Sequence, residues 1–301
     1  MIDIVIFSYN EPNATIRAVK AFLAQKIKKE FRIFVVDPFP ETEKKIKKSI
    51  RDKRLFFFPD PGEGKSYALN MIFQEYGSPN TNDLFVLTDG DVYVSKNSLK
   101  SIIDSFNDKE VGCVTGKPVA VEKRDNKYGF WAKLLFEGID KVRKRMSSKK
   151  KFFECSGYLF AIRKGVIMDF PLGTSEDSII PYLFWKKGYK IKYVENAEVY
   201  VKNPGNWKDW LAQKVRNVKA HENLNNIVAD MPRTKSFFNE IREGTVFALS
   251  FPRKPMEYWW TLELFGARLY LYLRAFFELR KGRKYSDGWR ETEIKSTKPL
   301  D

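Results

Sequence analysis

Histidine and cysteine are nearly absent: the 301 residues include one histidine, His221, and two cysteines, Cys113 and Cys155. Such a chain cannot assemble a Cys/His zinc cluster, a disulfide framework or a multi-histidine metal centre from its own residues, so any metal must be held by carboxylates. Long uncharged apolar runs are missing too. The most aromatic stretch, residues 258–279, is broken by Glu263, Arg268, Arg274 and Glu278, which leaves no window of roughly 18 uncharged residues for a spanning helix. There is no internal repeat, and the one charge run, residues 149–151, reads as a solvated turn. No charged n-region, apolar h-region and cleavage site stand before the first apolar run, and with so little cysteine a cytoplasmic location is expected.

What is present is core material. Hydrophobic residues make up 43% and aromatics 15%, so a chain of this size buries about three-quarters of its unfolded surface and intrinsic disorder is excluded for most of it. Lysine and arginine outnumber the acids 54 to 38, a net charge of +16. That balance attracts phosphate, which admits nucleotide, nucleic acid and anionic membrane as partners. A charged content of 31%, rich in lysine and glutamate, also suits a thermophile.

Apolar runs alternate with helical patterns over the first third of the chain. Residues 2–8 read as a strand ending at the breaker cluster Tyr9-Asn10-Glu11-Pro12, and residues 15–25 carry Ile16, Val19, Phe22 and Leu23 at helical spacing. Strands follow at 31–36, 54–58 and 83–88, separated by helices at 41–52 and 66–76. The alternation predicts a mostly parallel sheet with right-handed crossovers, whose ligands sit beyond the carboxyl ends of the strands. Ser8, Asp37 and Asp89 all fall at such ends. Beyond residue 111 the pattern loosens: strand at 111–121, amphipathic helix at 127–145, extended chain at 153–163, helix at 178–187, strands at 190–195 and 198–202, and helical character from 207 to 217. Ser175-Glu176-Asp177 places carboxylates at a helix start, where aspartate caps free N–H groups.

Two motifs carry chemistry on their own spacing. Gly64-Lys65-Ser66 opens a helix as a phosphate-binding loop does, but Pro59 stands where that loop needs its first glycine, so the P-loop reading fails. Lys65 still offers a cation near a helix N-terminus, a site that welcomes anions. Asp89-Gly90-Asp91 sets two carboxylates one residue apart at a strand end, a pair able to share a hard divalent cation with a diphosphate.

The order of motifs is more specific than any one of them. Phe7-Ser8-Tyr9-Asn10-Glu11, Val36-Asp37, Gly64-Lys65-Ser66, Asp89-Gly90-Asp91, Ser175-Glu176-Asp177 and Gln213-Lys214-Val215-Arg216 together resemble family 2 glycosyltransferases of the GT-A fold, cellulose-synthase-like members above all. The resemblance covers residues 2–217. It implies an α/β, Rossmann-like, mostly parallel sheet flanked by helices, and an inverting, metal-dependent sugar transfer. Ser8, Tyr9, Glu11, Asp37 and Lys65 match positions that hold the donor nucleotide, and Asp89, Gln213 and Arg216 join that nucleotide-sugar set. Asp89 and Asp91 match the metal pair for Mg²⁺ or Mn²⁺, with Asp91 as direct ligand. Asp177 matches the catalytic base, and Ser156, Gly157 and Glu176 match the acceptor side. Asn217 stands where the family's Gln-x-x-Arg-Trp signature has tryptophan, which removes an acceptor-stacking ring and argues against processive synthesis.

At about 100° per residue the charges of 257–278 fall within an arc of roughly 140°, opposite Leu262, Phe265, Leu269, Leu273, Phe276 and Phe277. An amphipathic, interfacial helix is expected, with Trp259, Trp260 and the basic residues 280–284 at lipid headgroups. A packed helix or a dimer contact is the bland alternative. Residues 281–292 resemble the basic Trp-x-x-Thr tail of polysaccharide-synthase-like members. The expected division is a catalytic domain at 1–230 and membrane-associating helices with a basic tail at 231–301. The expected activity is transfer from GDP-mannose or UDP-glucose to a glycolipid or oligosaccharide at the cytoplasmic face of the membrane. The alternative class is a nucleic-acid-binding protein, to which +16 is hospitable; acidic residues at the strand ends count against it, and no nucleic-acid partner is expected.

Overall fold

The computed structural model describes residues 1–232, 237–282 and 285, the side chain of Phe238 excepted. Arg283, Lys284 and the tail at 286–301, including the Trp289 to Thr292 motif, lie outside the described residues.

The first strand, β1 (Ile2–Phe7), is buried along its whole length, as a central parallel strand covered on both faces must be. Its alternate side chains feed two cores. Ile2, Ile4 and Ile6 join α1 (Pro12–Leu23), α2 (Pro40–Ser49) and α4 (Ser98–Ser105) on one face, while Val5 and Phe7 join α3 (Lys65–Tyr76) and α6 (Glu176–Lys186) on the other. Asp3 interrupts the apolar run and is fully buried. Its carboxylate is held by Arg32, 2.8 Å away, and by Lys164.

The eight strands run in the order β3-β2-β1-β4-β7-β6-β8-β5. β1, β2 (Phe31–Asp37), β3 (Leu55–Pro59) and β4 (Leu84–Asp89) are mutually parallel, so their carboxyl ends share one edge. β7 (Leu159–Arg163) is antiparallel to β4, with Leu159 opposite Thr88. Its leading turn, Ser156-Gly157-Tyr158, therefore comes to the same edge, where Thr88 Oγ1 donates to the Tyr158 carbonyl at 2.7 Å. β6 (Val111–Ala120) pairs with β7 antiparallel and with β8 (Lys190–Val201) parallel, and β5 (Tyr93–Val94) closes the far side.

The expected strands at 190–195 and 198–202 are one strand, β8, whose pairing slips between Gly116 and Lys117 of β6. The expected extension over 153–163 is a strand only from Leu159; before it the chain turns. β5 and α4 had no counterpart in the sequence pattern, being two and eight residues long.

A third core joins α5 (Lys127–Ser148) and α7 (Trp207–Ile227) to the C-terminal helices. Phe130, Trp131 and Leu134 of α5, Trp210, Leu211 and Val215 of α7, Ala248 of α8 (Phe237–Ser250) and Leu264, Ala267, Leu271 and Ala275 of α9 (Pro255–Arg280) pack together. Four charges of α9 are drawn into ion pairs with neighbouring elements, while Arg274 and Arg280 stay exposed. Glu257 pairs with Arg124 at 2.7 Å, Glu263 with Lys127 at 3.2 Å, Glu278 with Lys219 at 3.3 Å, and Arg268 with Glu240. The bulky apolar side chains point away instead: Trp259, Leu262, Leu273 and Phe277 are 59, 58, 49 and 56% exposed. Leu264, Ala267, Leu271 and Ala275 turn inward, Trp259, Leu262, Leu273 and Phe277 outward, and ion pairs flank the seam. No helix among the described residues is long and apolar enough to cross a membrane.

Candidate active site

The shared edge of the parallel strands gathers the motif residues. Gly64, which precedes α3, has φ of +108°, outside the range of L-residues, and this lets the loop after β3 reverse directly into the helix with Lys65 as its first residue. Lys65 Nζ lies 2.7 Å from Asp89 Oδ1 at the end of β4 and 2.5 Å from Glu176 Oε1 at the start of α6. Lys65, Asp89 and Glu176 thus form one ion-pair chain across three elements. Burial opposes the ammonium, but the two carboxylates outweigh it and hold the Lys65 pKa above its ordinary value. Burial pushes the Glu176 carboxyl up to about 7, with Lys65 pulling down and Asp177 and Asp89 pushing further up.

The acidic turn is fixed by close approach. A Cβ on Gly90 would stand 2.9 Å from Thr15 Oγ1 and 3.1 Å from the Phe7 carbonyl, so only glycine fits between Asp89 and Asp91. Gly90 N donates to that same carbonyl, and Ser8, buried, shares a 2.7 Å hydrogen bond with Thr15. Asp37 accepts from the backbone N–H of Asn10 at 3.0 Å and of Phe39 at 2.7 Å, and Tyr9 meets the Phe39 ring edge-on at 5.0 Å. The loop holding Ser8, Tyr9 and Glu11 is thereby tied to the end of β2. Asp37 serves that loop as an architectural acceptor.

Asp177 follows Glu176 in the first turn of α6. Its carboxylate accepts from Ser175 Oγ at 2.6 Å and from Gly157 N at 3.2 Å, and its carbonyl accepts from Cys155 N at 3.0 Å. The expected helix cap does not form: Ser175 is the N-cap of α6, without a side-chain cap bond. The Asp177 carboxylate is turned instead toward Gly157, whose Cα is open to both Asp177 and Glu176. The turn is braced from behind, where Thr115 Oγ1 accepts from Ser156 N at 2.9 Å and Arg143 donates to the Glu154 and Cys155 carbonyls at 3.2 and 2.7 Å. Ser178 Oγ donates to buried Glu154 at 2.7 Å, and His221 Nδ1 lies 3.6 Å from the same carboxylate. Burial pushes the thiols of Cys113 and Cys155 far above their ordinary range, so neither supplies a thiolate near neutral pH.

The geometry therefore unites Lys65, Asp89, Ser156, Gly157, Glu176 and Asp177, with Ser8 and Gly90 abutting them. Glu176, expected on the acceptor side, is also the second counter-ion of Lys65. Gln213 and Arg216 lie on α7, outside this ion-pair chain. Gln213 keeps a buried Oε1 without a hydrogen bond, and Arg216 is exposed with its guanidinium 5.9 Å from the Tyr285 ring. Thr115, Arg143 and Glu154 escaped the sequence reading. A hydroxyl within an apolar strand run and an arginine on the buried side of a helix were the available signals for Thr115 and Arg143.

A divalent cation fits the donor set in one way. Among the described residues no three acids, histidines or cysteines gather as a metal cage. The Asp89/Asp91 turn supplies two carboxylates, which suits a hard cation that takes its remaining ligands from a diphosphate and water.

The mostly parallel α/β sheet, with an acidic turn at the end of β4 and a helix-borne lysine beside it, has GT-A glycosyltransferase architecture. The profile of Glycosyl transferase family 2 matches residues 3–170, and the chain belongs to that family. Among solved structures it is similar to a mannosyltransferase from Pyrobaculum calidifontis in complex with GDP-Man and Mn²⁺ (TM-score 0.58, 16% identity, 94% of this chain and 79% of that one). It is also similar to GalNAc-T7 with UDP, GalNAc and Mn²⁺ (TM-score 0.51, 18% identity, 87% of this chain and 56% of that one). At these identities the likeness is one of fold. No curated protein sequence matches the chain.

Proposed function

We propose that this glycosyltransferase moves a sugar, with inversion, from GDP-mannose or UDP-glucose to a hydroxyl of a glycolipid or oligosaccharide at the cytoplasmic face of a membrane. The observation that carries the reading is the placement of two neighbouring carboxylates in different surroundings. Glu176 is buried and bound to Lys65, while Asp177 is half-buried and faces the Ser156-Gly157 turn. Such a split assigns roles. Asp177 takes the proton of the acceptor hydroxyl as its oxygen bonds to the anomeric carbon. The bond from that carbon to the diphosphate breaks on the opposite side, which inverts the configuration.

Lys65, charged and already seated beside Asp89, receives the negative charge of the departing diphosphate. Ser8, Tyr9, Glu11 and Asp37 form the ledge for the nucleoside, and Gln213 and Arg216 approach the donor from α7. Asp91, with Asp89, would hold Mg²⁺ or Mn²⁺, which when bound supplies positive charge to the diphosphate. The exposed apolar strip of α9 and the exposed Ile241, Val246 and Leu249 of α8 support docking on a lipid surface.

The test is a panel of UDP-, GDP- and dTDP-sugars, with and without Mn²⁺ or Mg²⁺, read as nucleotide release in the presence of membrane lipid extract. Metal-dependent release from one donor, lost in Asp91→Ala, supports the reading and names the donor. Equal release in Asp177→Asn and the parent protein refutes the mechanism.

A further inference from the structure

An open groove of about 360 Å³ lies between α5, α7 and α9, lined by none of the reaction-centre residues. Its floor is aromatic and rigidly held. Trp131, 1% exposed, is locked by its Nε1 donating to the Trp260 carbonyl at 2.7 Å and packs on Trp210, which stacks on Trp207 at 5.5 Å and 15°. Trp207 and Tyr270 are 40 and 50% exposed, with ring centroids 6.0 Å apart. The polar complement is a single ion pair, Lys127 to Glu263 at 3.2 Å, with Lys127 Nζ also 5.5 Å from the Trp131 ring. Glu263 Oε2, the oxygen of that ion pair, is buried.

Gly266 gives the second, independent observation. It lies inside α9, where glycine weakens a helix, yet its φ is not positive and a Cβ there would meet nothing within 4 Å. Neither backbone conformation nor close packing requires glycine here. What glycine preserves at this position is the open space of the groove.

We propose that this groove binds the neutral saccharide portion of the acceptor, an inference that rests on the acceptor reading above. Ring faces held in place by hydrogen bonding and stacking suit the C–H face of a pyranose, and a carboxylate beside an ammonium offers its hydroxyls one acceptor and one donor. The lining carries one positive and one negative charge, already paired, so it offers no surplus cation to an anionic headgroup. Gly266 and Tyr270 also border the exposed apolar strip of α9, so a sugar seated here would have its lipid on the side where that strip meets a bilayer.

The experiment is ligand-observed saturation-transfer NMR on the full chain with maltose, cellobiose and α-1,6-mannobiose. The competitor is dihexanoyl phosphatidylglycerol, a short anionic lipid without sugar. Expected are transfer to at least one disaccharide, affinity at least tenfold weaker in Gly266→Leu and in Trp207→Ala, and no displacement by the lipid. Gly266→Leu adds a better helix former in open space, so it removes the groove without removing the fold. Absence of transfer from all three sugars, equal binding in both variants, or displacement by the lipid overturns the proposal. Donor turnover is read in parallel. Turnover without groove binding overturns the groove alone, and groove binding without turnover of any donor overturns the catalytic reading alone.

Discussion

Charges are gathered in two places, at the carboxyl edge of the sheet and along the seam of α9, and the two gatherings balance differently. At the sheet edge the carboxylates of Asp89 and Glu176 share one ammonium, Lys65, and Asp177 follows Glu176 with its carboxylate toward Gly157. Along α9, Glu257, Glu263, Glu278 and Arg268 each have their own partner of opposite sign. A buried cluster with surplus negative charge is expensive unless something positive completes it, whereas one-to-one pairs are complete as they stand. The surplus is the feature that the proposed cation and diphosphate chemistry would use. The balanced seam is structural, and it leaves the outer apolar face of α9 free for another role.

The sharpest way to break this comparison is Asp177→Asn. If the sheet edge is built for chemistry, turnover falls by about 10²–10⁴-fold while nucleotide binding, read by calorimetry, stays near the parent value. A small loss of turnover would make the surplus carboxylates architectural.

The seam predicts the opposite profile, with stability lost and chemistry spared. Glu257→Gln breaks a buried pair in which Arg124 donates twice at 2.7 Å and the backbone N–H of Arg253 once at 2.6 Å, and should cost about 3 kcal/mol in denaturant unfolding. Leu271→Ala, on the inner face at 0% exposure, should cost about 2–5 kcal/mol, against under about 0.5 for Leu273→Ala at 49% on the outer face. Equal losses at the two leucines would mean that the outer face is covered by a partner that the chain carries with it.

The seam also titrates. The Arg124 guanidinium holds the Glu257 carboxyl down at about 2 against the opposing effect of burial. A depressed folded pKa contributes stability in full above about 4.5, and that contribution fades as pH falls toward about 2. Protection of the α9 amides, measured relative to their intrinsic exchange rate, should therefore fall across that window in the parent protein, and far less so in Glu257→Gln. The smallest effect on folding is expected from Trp259→Ser combined with Phe277→Ser: unfolding shifts little, while sedimentation with anionic vesicles drops about fivefold. Unchanged vesicle binding would remove α9 from the membrane reading.

The first four strands and three helices were legible because a covered parallel strand is an unbroken apolar run, and the loops between are marked by proline, glycine and aspartate. Motif order pointed to the same edge of the sheet. Other features were hidden for physical reasons. α7 was read only to residue 217 because the polar stretch beyond shows little apolar period, yet Ala220 and Leu224 are buried and the helix runs to Ile227. β8 was read as two strands because a register shift against β6 interrupts its alternation. The brace of Thr115, Arg143 and Glu154 behind the Ser156-Gly157 turn joins residues up to 41 positions apart, a closeness no local pattern carries.

By itself the sequence determined the family, the alternating architecture, the absence of a cysteine or histidine metal cage, and which residues of α9 share a face. It could do so because those properties follow from residue type and spacing. Only the tertiary structure decided that Glu176 pairs with Lys65, that Asp177 faces Gly157 instead of capping its helix, and that α9 turns Leu264, Ala267, Leu271 and Ala275 inward and its aromatic residues Trp259 and Phe277 outward. Periodicity specifies the relative angle between side chains on a helix. Which angle becomes the inside is set by the shape and charge of the surface it meets, here the aromatic floor and basic residues of α5 and α7 and the acids and bases that pair across the seam.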